Sequence, residues 1–261
     1  MRLLPIYTLL LMGLISTAQC QQKNDEAIVV AMARFDKAYI PVLVHTMEGD
    51  SYKAKRAALY LAFEWQKTQT RYRAAYPANE EWAAGFDRID DWISDALYEI
   101  DNNCAATAAG LLEHVRYEWV ELRRMEDIEY YPDYWYEAQA AQAWLSNVFA
   151  DEMMCQMEWE AVEEEVLALN VACKKAIDKR PDAELYQLDA SRLEQLTAAQ
   201  SALRRRLDRF NKVMDEAQQP QMKLACDAIA PALWSGVRLF GDYNASRTYF
   251  ADNKETPSLH Q

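Results

Sequence analysis

The sequence predicts an all-α fold, an up-and-down bundle of about seven helices, on three observations. Six glycines and eight prolines in 261 residues are few, while Ala, Leu, Glu and Arg, which cost little inside a helix, are frequent. Apolar residues recur at alternating spacings of three and four, so that each segment carries one apolar seam. No run of alternating β-branched residues competes with that period.

The first seam is Ile28, Met32, Phe35, Tyr39 and Val42, and the second is Ala54, Ala58, Leu61, Trp65, Thr68 and Tyr72. Trp82, Phe86, Ile89, Ile93, Ala96 and Ile100 form the third; Ala108, Leu112, Val115, Trp119 and Leu122 form the fourth. A fifth runs without a visible break through Leu145, Val148, Glu152, Cys155, Trp159, Val162, Val166, Leu169 and Cys173, which predicts one long helix over 134–178. Leu193, Leu196, Gln200, Leu203, Leu207, Phe210 and Met214 mark the sixth, and Met222, Cys226, Ile229 and Leu233 the seventh. Stop signals fall between the seams at Gly49-Asp50, Pro77-Ala78-Asn79, Asn102-Asn103, Pro132-Asp133, Arg180-Pro181-Asp182 and Gln219-Pro220. Asp133 suits an N-cap for the fifth helix, and Ser191 with Glu194 reads as a capping box for the sixth. Pro41 and Pro231 lie inside apolar helical patterns and are expected to bend them.

These elements divide the chain into a signal segment (1–19), an N-terminal four-helix bundle (20–133), a C-terminal helical bundle (134–241) and a flexible tail (242–261). The alternative is two bundles sharing the long fifth helix, a layout echoed by the gapless match of FDRIDDWISDA (86–96) to LDRFNKVMDEA (207–217). Chance similarity between short amphipathic helices explains that echo at least as well.

Formal net charge is -13, and no basic cluster stands out along the chain. Such a surface repels a phosphate backbone, so nucleic acid is not an expected partner. At the N-terminus, Arg2 is followed by the apolar run Leu3 to Ile15 and the small residues Ser16-Thr17-Ala18. That run is too short for a membrane span, which needs about 20 residues, and reads as a secretory signal.

Cys20 follows at once, in STAQC, and the segment resembles a bacterial lipoprotein signal, in which a cysteine at the cut site becomes the lipid-modified first residue. Gln22-Lys23-Asn24-Asp25-Glu26 resembles the Gln-Lys-acidic export tag after that cysteine in surface lipoproteins of some Gram-negative bacteria. The resemblance covers residues 1–26 only. It implies an exported protein of the periplasm, outer membrane or cell surface, touching the membrane through a lipid anchor alone. Plain cleavage after Ala18, with Cys20 an ordinary residue, is the other reading.

The body of the chain lacks HExxH, phosphate-loop, GxSxG and paired CxxC motifs, and neither His45 nor His114 has a glutamate three residues before it as di-iron bundles require. The expected function is therefore binding of an envelope protein or small ligand rather than catalysis. The candidate contact is the aromatic turn, Tyr130, Tyr131, Asp133, Tyr134 and Trp135, whose rings beside a carboxylate suit a partner protein or, as a further alternative, a glycan. The competing explanation is that these rings wedge the turn and close the bundle end. A transition-metal-binding protein is another alternative, with His45, Asp95, His114 and Glu118 as the ligand set; no other cofactor is expected. Cys104, Cys155 and Cys226 are disulfide candidates, with Cys155 the common partner. The acids of the fifth helix read as a solvated face, with Glu152 on the seam awaiting an arginine among Arg204, Arg205 and Arg206.

Overall fold

In the computed structural model, which describes residues 27–151, 159–215 and 219–245, all regular structure among the described residues is helical. Helix α1 covers residues 27–47. Gly49, at φ 70, reverses the chain at no steric cost. Asp50 then accepts the Lys53 N–H to start α2, Ser51–Tyr72. Asn79 accepts the N–H groups of Glu81 and Trp82 to cap α3, Glu80–Asp101, whose first-turn Glu80 and Glu81 suit the positive end of the helix dipole. There follow α4, Ala105–Met125; α5, Tyr131–Ala150; α6, Trp159–Asp178; and α7, Ala190–Asp215. Asp189 caps α7 by accepting the Arg192 N–H, while Ser191, the predicted cap, takes a side-chain bond from Gln195. Helices α8, Gln219–Asp227, and α9, Ala230–Val237, lead into a short 3-10 turn, Arg238–Phe240. Pro231 does not bend a helix: it sits in the first turn of α9, where its missing N–H has no helical partner to lose.

Every seam residue predicted for the first four helices is buried. The all-α bundle is thus laid down by period alone as far as residue 122. The C-terminal half differs from expectation. Asp151 leaves the helical region with ψ 108, ending α5. Helices α5 and α6 then lie along one another, with the Tyr131 hydroxyl at the start of α5 donating to the Ala176 carbonyl near the end of α6 at 2.7 Å. The long helix predicted over 134–178 is therefore two antiparallel helices. Seam counting missed the reversal because the apolar period resumes in phase on the far side; Glu152 and Cys155 lie outside the described residues.

It is α1, not a long fifth helix, that joins the two halves. Residues 31–44 are buried on every side except at Arg34, the charged Asp36 and Lys37 included. Phe35 packs against Tyr39, Trp65 and Trp119, and the Tyr39 hydroxyl donates to the Leu112 carbonyl of α4 at 2.6 Å. Asp36, next to Phe35, accepts bonds from Tyr130, which caps α5, and from Tyr136 within it.

Pro41 has a specific consequence. It removes the N–H that would bond the Lys37 carbonyl, and the Asp242 N–H takes that place at 2.9 Å. Gly241 makes the approach feasible: a Cβ there would stand 3.0 Å from the Ile40 side chain. Residues 242–245 are accordingly strapped to α1, and the frayed tail expected from 242 onward is corrected for that stretch; 246–261 lie outside the described residues.

Candidate functional site

The aromatic turn folds inward. Arg123 grips Asp133 with two bonds, Nε to Oδ2 at 2.7 Å and Nη2 to Oδ1 at 2.5 Å, and its guanidinium lies 4.4 Å from the centre of the Tyr130 ring. The Tyr130 hydroxyl donates to Asp36 at 2.8 Å and that of Tyr136 at 3.3 Å. Tyr131 donates its N–H to the Tyr186 hydroxyl, and Trp135 is 0% exposed. Tyr134 alone is partly open, bonding to Glu129 and receiving the Lys179 ammonium. The exposed face expected of Tyr130, Tyr131, Asp133, Tyr134 and Trp135 is therefore absent. Asp133 is not the N-cap either; that position belongs to Tyr130, and the carboxylate turns in to Arg123.

Burial governs titration in this cluster. It pushes the Asp133 carboxyl up to about 6 against the opposing pull of Arg123, and raises Asp36 in the same way. Burial opposes the charge on Arg123, but Asp133 and Asp36 outweigh it and hold the guanidinium above its ordinary value. The phenols of Tyr130 and Tyr136 are held well above theirs by burial.

The proposed metal ligands are not brought together. His45, with its pKa lowered by burial, packs against Tyr243 and places Nδ1 3.6 Å from Glu48. His114 is exposed and stacks on Trp92. Asp95 faces solvent on α3, and Glu118, buried, accepts a 2.5 Å bond from Arg88. Among the described residues no three His, Cys, Asp or Glu side chains converge as a metal would require. Cys104 and Cys226 carry free thiols, the first exposed and the second buried with its pKa raised to about 12 by burial. Cys20 and Cys155 lie outside the described residues. Arg204 pairs with Asp178, and Arg206 bonds the Ala228 carbonyl.

A large concavity among the described residues lies elsewhere. Helix α4 packs on α3 and α5 on α6, so the consecutive helices α4 and α5 diverge and leave a groove of about 940 Å³ between α4, α5 and α6. On the α5 and α6 sides its floor is small and apolar, with Ala140, Ala141 and Ala143 from α5 and Ala168, Val171 and Ala172 from α6, while the α4 side is larger and mixed, with Arg116, Tyr117, Val120 and Arg124. Side chains this short cannot fill the space between helix axes, which is why the trough stays open. Leu167, 65% exposed, and Val171, 45% exposed, stand along it, an arrangement that water disfavours and a partner would cover.

One end of the groove is polar. Arg116, nearly buried, bonds Glu113 and the Gln139 Oε1 and lies 4.8 Å from the Tyr136 ring centre. Gln139 lines the groove, and its Nε2 is buried without an acceptor among the described residues. An orphaned amide donor of this kind costs about 1–3 kcal/mol, a cost that an acceptor on a bound partner would remove. The lip carries Glu113, Glu121, Glu137, Glu164 and Glu165. Glu113 is paired with Arg116 and Glu121 with Arg124. Glu137, Glu164 and Glu165 form no ion pair among the described residues, and burial raises the Glu165 carboxyl.

Sequence reasoning assigned Glu164 and Glu165 to a solvated face. The signal that could have found the groove is Leu167 and Val171, one turn apart and off the α6 seam, opposite an alanine-rich α5. No family model, no curated protein and no solved structure matches the chain.

Proposed function

We propose that the protein is an exported, lipid-anchored envelope protein that works by binding, and that it receives an amphipathic helix with basic flanking residues in the groove between α4, α5 and α6. The observation that carries this reading is the pairing of an open trough with an alanine-rich floor and, on its lip, three glutamates that form no ion pair among the described residues. The trough follows α6 from Glu164 to Ala172, a rise of about 12 Å or roughly two helical turns. That span suits the i, i+3, i+4 anchors of a helix laid in a groove. Lysine or arginine beside those anchors meets Glu137, Glu164 and Glu165, and a terminal carbonyl supplies the acceptor that Gln139 lacks.

The test uses synthetic helical peptides. A Leu/Ala/Lys amphipathic peptide is expected to bind, and the same design with Glu in place of Lys is not. Ala168→Trp, which fills the trough, is expected to weaken the basic peptide by at least about tenfold, equivalent to 1.4 kcal/mol. Equal binding of both peptides, or indifference to Ala168→Trp in a folded variant, would sink the reading.

The anchoring half rests on residues 1–26, and no helix among the described residues is long and apolar enough to cross a membrane. Mass spectrometry of the N-terminus from native membranes is expected to find an acylated Cys20. An unmodified chain starting at Gln19 would refute the anchor and leave the groove untouched.

A further inference from the structure

The charge of this chain is unevenly spread. Between Ser51 and Arg73 stand Lys53, Lys55, Arg56, Lys67, Arg71 and Arg73 against the one acid Glu64, within a chain of net charge -13. Helix α2 is thus a basic helix in an acidic protein, against the expectation that no basic cluster stands out along the chain. Its outward face is also apolar in part. Tyr52 is 70% exposed and Leu59 60% exposed, and with Arg56, Phe63, Lys67 and Arg71 they follow at three- and four-residue intervals along one stripe. Cations lie over the rings of this face, Arg56 at 5.7 Å from Tyr52 and Lys67 at 3.7 Å from Phe63.

Some of this charge is used internally. Lys53 pairs with Asp50, Lys67 with Glu64 and Arg73 with Asp87, and Lys55 bonds the Asp101 carbonyl. Arg56 and Arg71, together with the exposed Arg34 of α1, pair with no carboxylate among the described residues. Arg34, Lys67, Arg71 and Phe63 line a surface hollow of about 550 Å³ between α1 and α2.

The position of this face matters as much as its charge. The Tyr72 hydroxyl in the last turn of α2 donates to the Ala27 carbonyl at 3.1 Å. The chain therefore enters α1 beside Arg71, seven residues after Cys20. An acyl chain on Cys20 holds this corner of the molecule close to the bilayer.

We propose that the outward face of α2, with Arg34, lies against an anionic phospholipid surface, its arginines on the headgroups and Tyr52, Leu59 and Phe63 at the boundary with the acyl chains. Basic residues beside exposed aromatic and aliphatic ones on one helical stripe are what such a surface selects. The contact sets which way the acidic remainder, groove included, faces. The proposal rests on the anchored reading for its nearness to the bilayer, not for its chemistry.

The experiment uses the full chain isolated from bacterial membranes, bound to phosphatidylcholine vesicles or to vesicles containing phosphatidylglycerol, with hydroxyl-radical labelling read by mass spectrometry. On the anionic vesicles Tyr52, Leu59 and Phe63 are expected to label about threefold less or lower still, with the difference erased by high salt. Tyr98 and Tyr117, 67% and 62% exposed on other helices, serve as controls. The variant R34Q/R56Q/R71Q, at positions that form no ion pair among the described residues, is expected to keep its fold by circular dichroism and lose the difference.

Equal labelling on the two vesicle types overturns the proposal, as does a variant that keeps the difference. Protection that grows with protein concentration in the absence of vesicles assigns the face to a second copy and also overturns it. Protein held by anionic vesicles alone, with α2 protected, supports the face and refutes the anchor; protein held by neither refutes both.

Discussion

Arg123→Met is expected to lower the unfolding free energy near neutral pH by about 3–5 kcal/mol, the cost of leaving a buried charge without its partner. Arg123 is 2% exposed and Asp133 7% exposed, so water cannot take over the role of either. Removing the guanidinium strands Asp133 and also Asp36, whose carboxyl Arg123 holds down electrostatically. A carboxyl whose folded pKa lies above its unfolded one contributes stability that is complete below the unfolded value and is lost as pH rises through the folded value. Asp133, displaced from 3.8 to about 6, and Asp36, displaced in the same direction, both follow this rule. Without Arg123 both rise further. The deficit of the variant is therefore widest near neutrality and narrows at about pH 5, where the carboxyls take up protons. Urea unfolding followed by tryptophan fluorescence at the two pH values measures it. Arg123→Met/Asp133→Leu is expected to recover most of the loss, because Asp36 keeps its bonds from Tyr130 and Tyr136. A deficit equal at both pH values would show that lost packing, not stranded charge, is its cause.

The contrast between Arg123 and the four N-terminal seams shows what a sequence displays of its fold. Residues such as Leu61, Phe86 and Leu112 are legible because a helix with one apolar stripe buries that stripe wherever it packs. Helix α1 gave the same period while being buried on nearly every side from residue 35 to 44, and only the continuous apolar run from Ile40 to Val44 hints at it. The α5–α6 reversal was hidden because its two seams share one phase. Asp133 was expected to cap the fifth helix, three residues past the observed cap Tyr130, and its role depends on Arg123, ten positions earlier and one helix away. The groove is less visible still. It exists because α4 and α5 part, and no local pattern states how far apart two neighbouring helices stand; only the off-seam Leu167 and Val171 report it from the sequence side.

Trp135→Ala and Gly236→Ala are expected to behave as a coupled pair. The Trp135 ring is fully buried, and a Cβ on Gly236 would stand 2.1 Å from its Cζ3 atom, so α9 passes over the indole only because residue 236 has no side chain. Trp135→Ala empties that space and is expected to cost about 3–5 kcal/mol. Gly236→Ala in the native protein forces the ring or the helix aside, at about 1–3 kcal/mol of overpacking, offset in part by the better helix propensity of alanine, about 1 kcal/mol. With Trp135 already replaced, the new methyl meets no ring and fills part of the hole. Gly236→Ala is then expected to change sign and stabilise, a non-additivity that a double-mutant cycle by urea unfolding reads directly. The same pair separates the two accounts of the aromatic turn. If Trp135 is sealed beneath α9, its loss weakens the fold and leaves basic-peptide binding by the folded fraction unchanged. A Trp135→Ala variant of native stability that no longer binds the basic peptide would mean that the indole is an exposed contact.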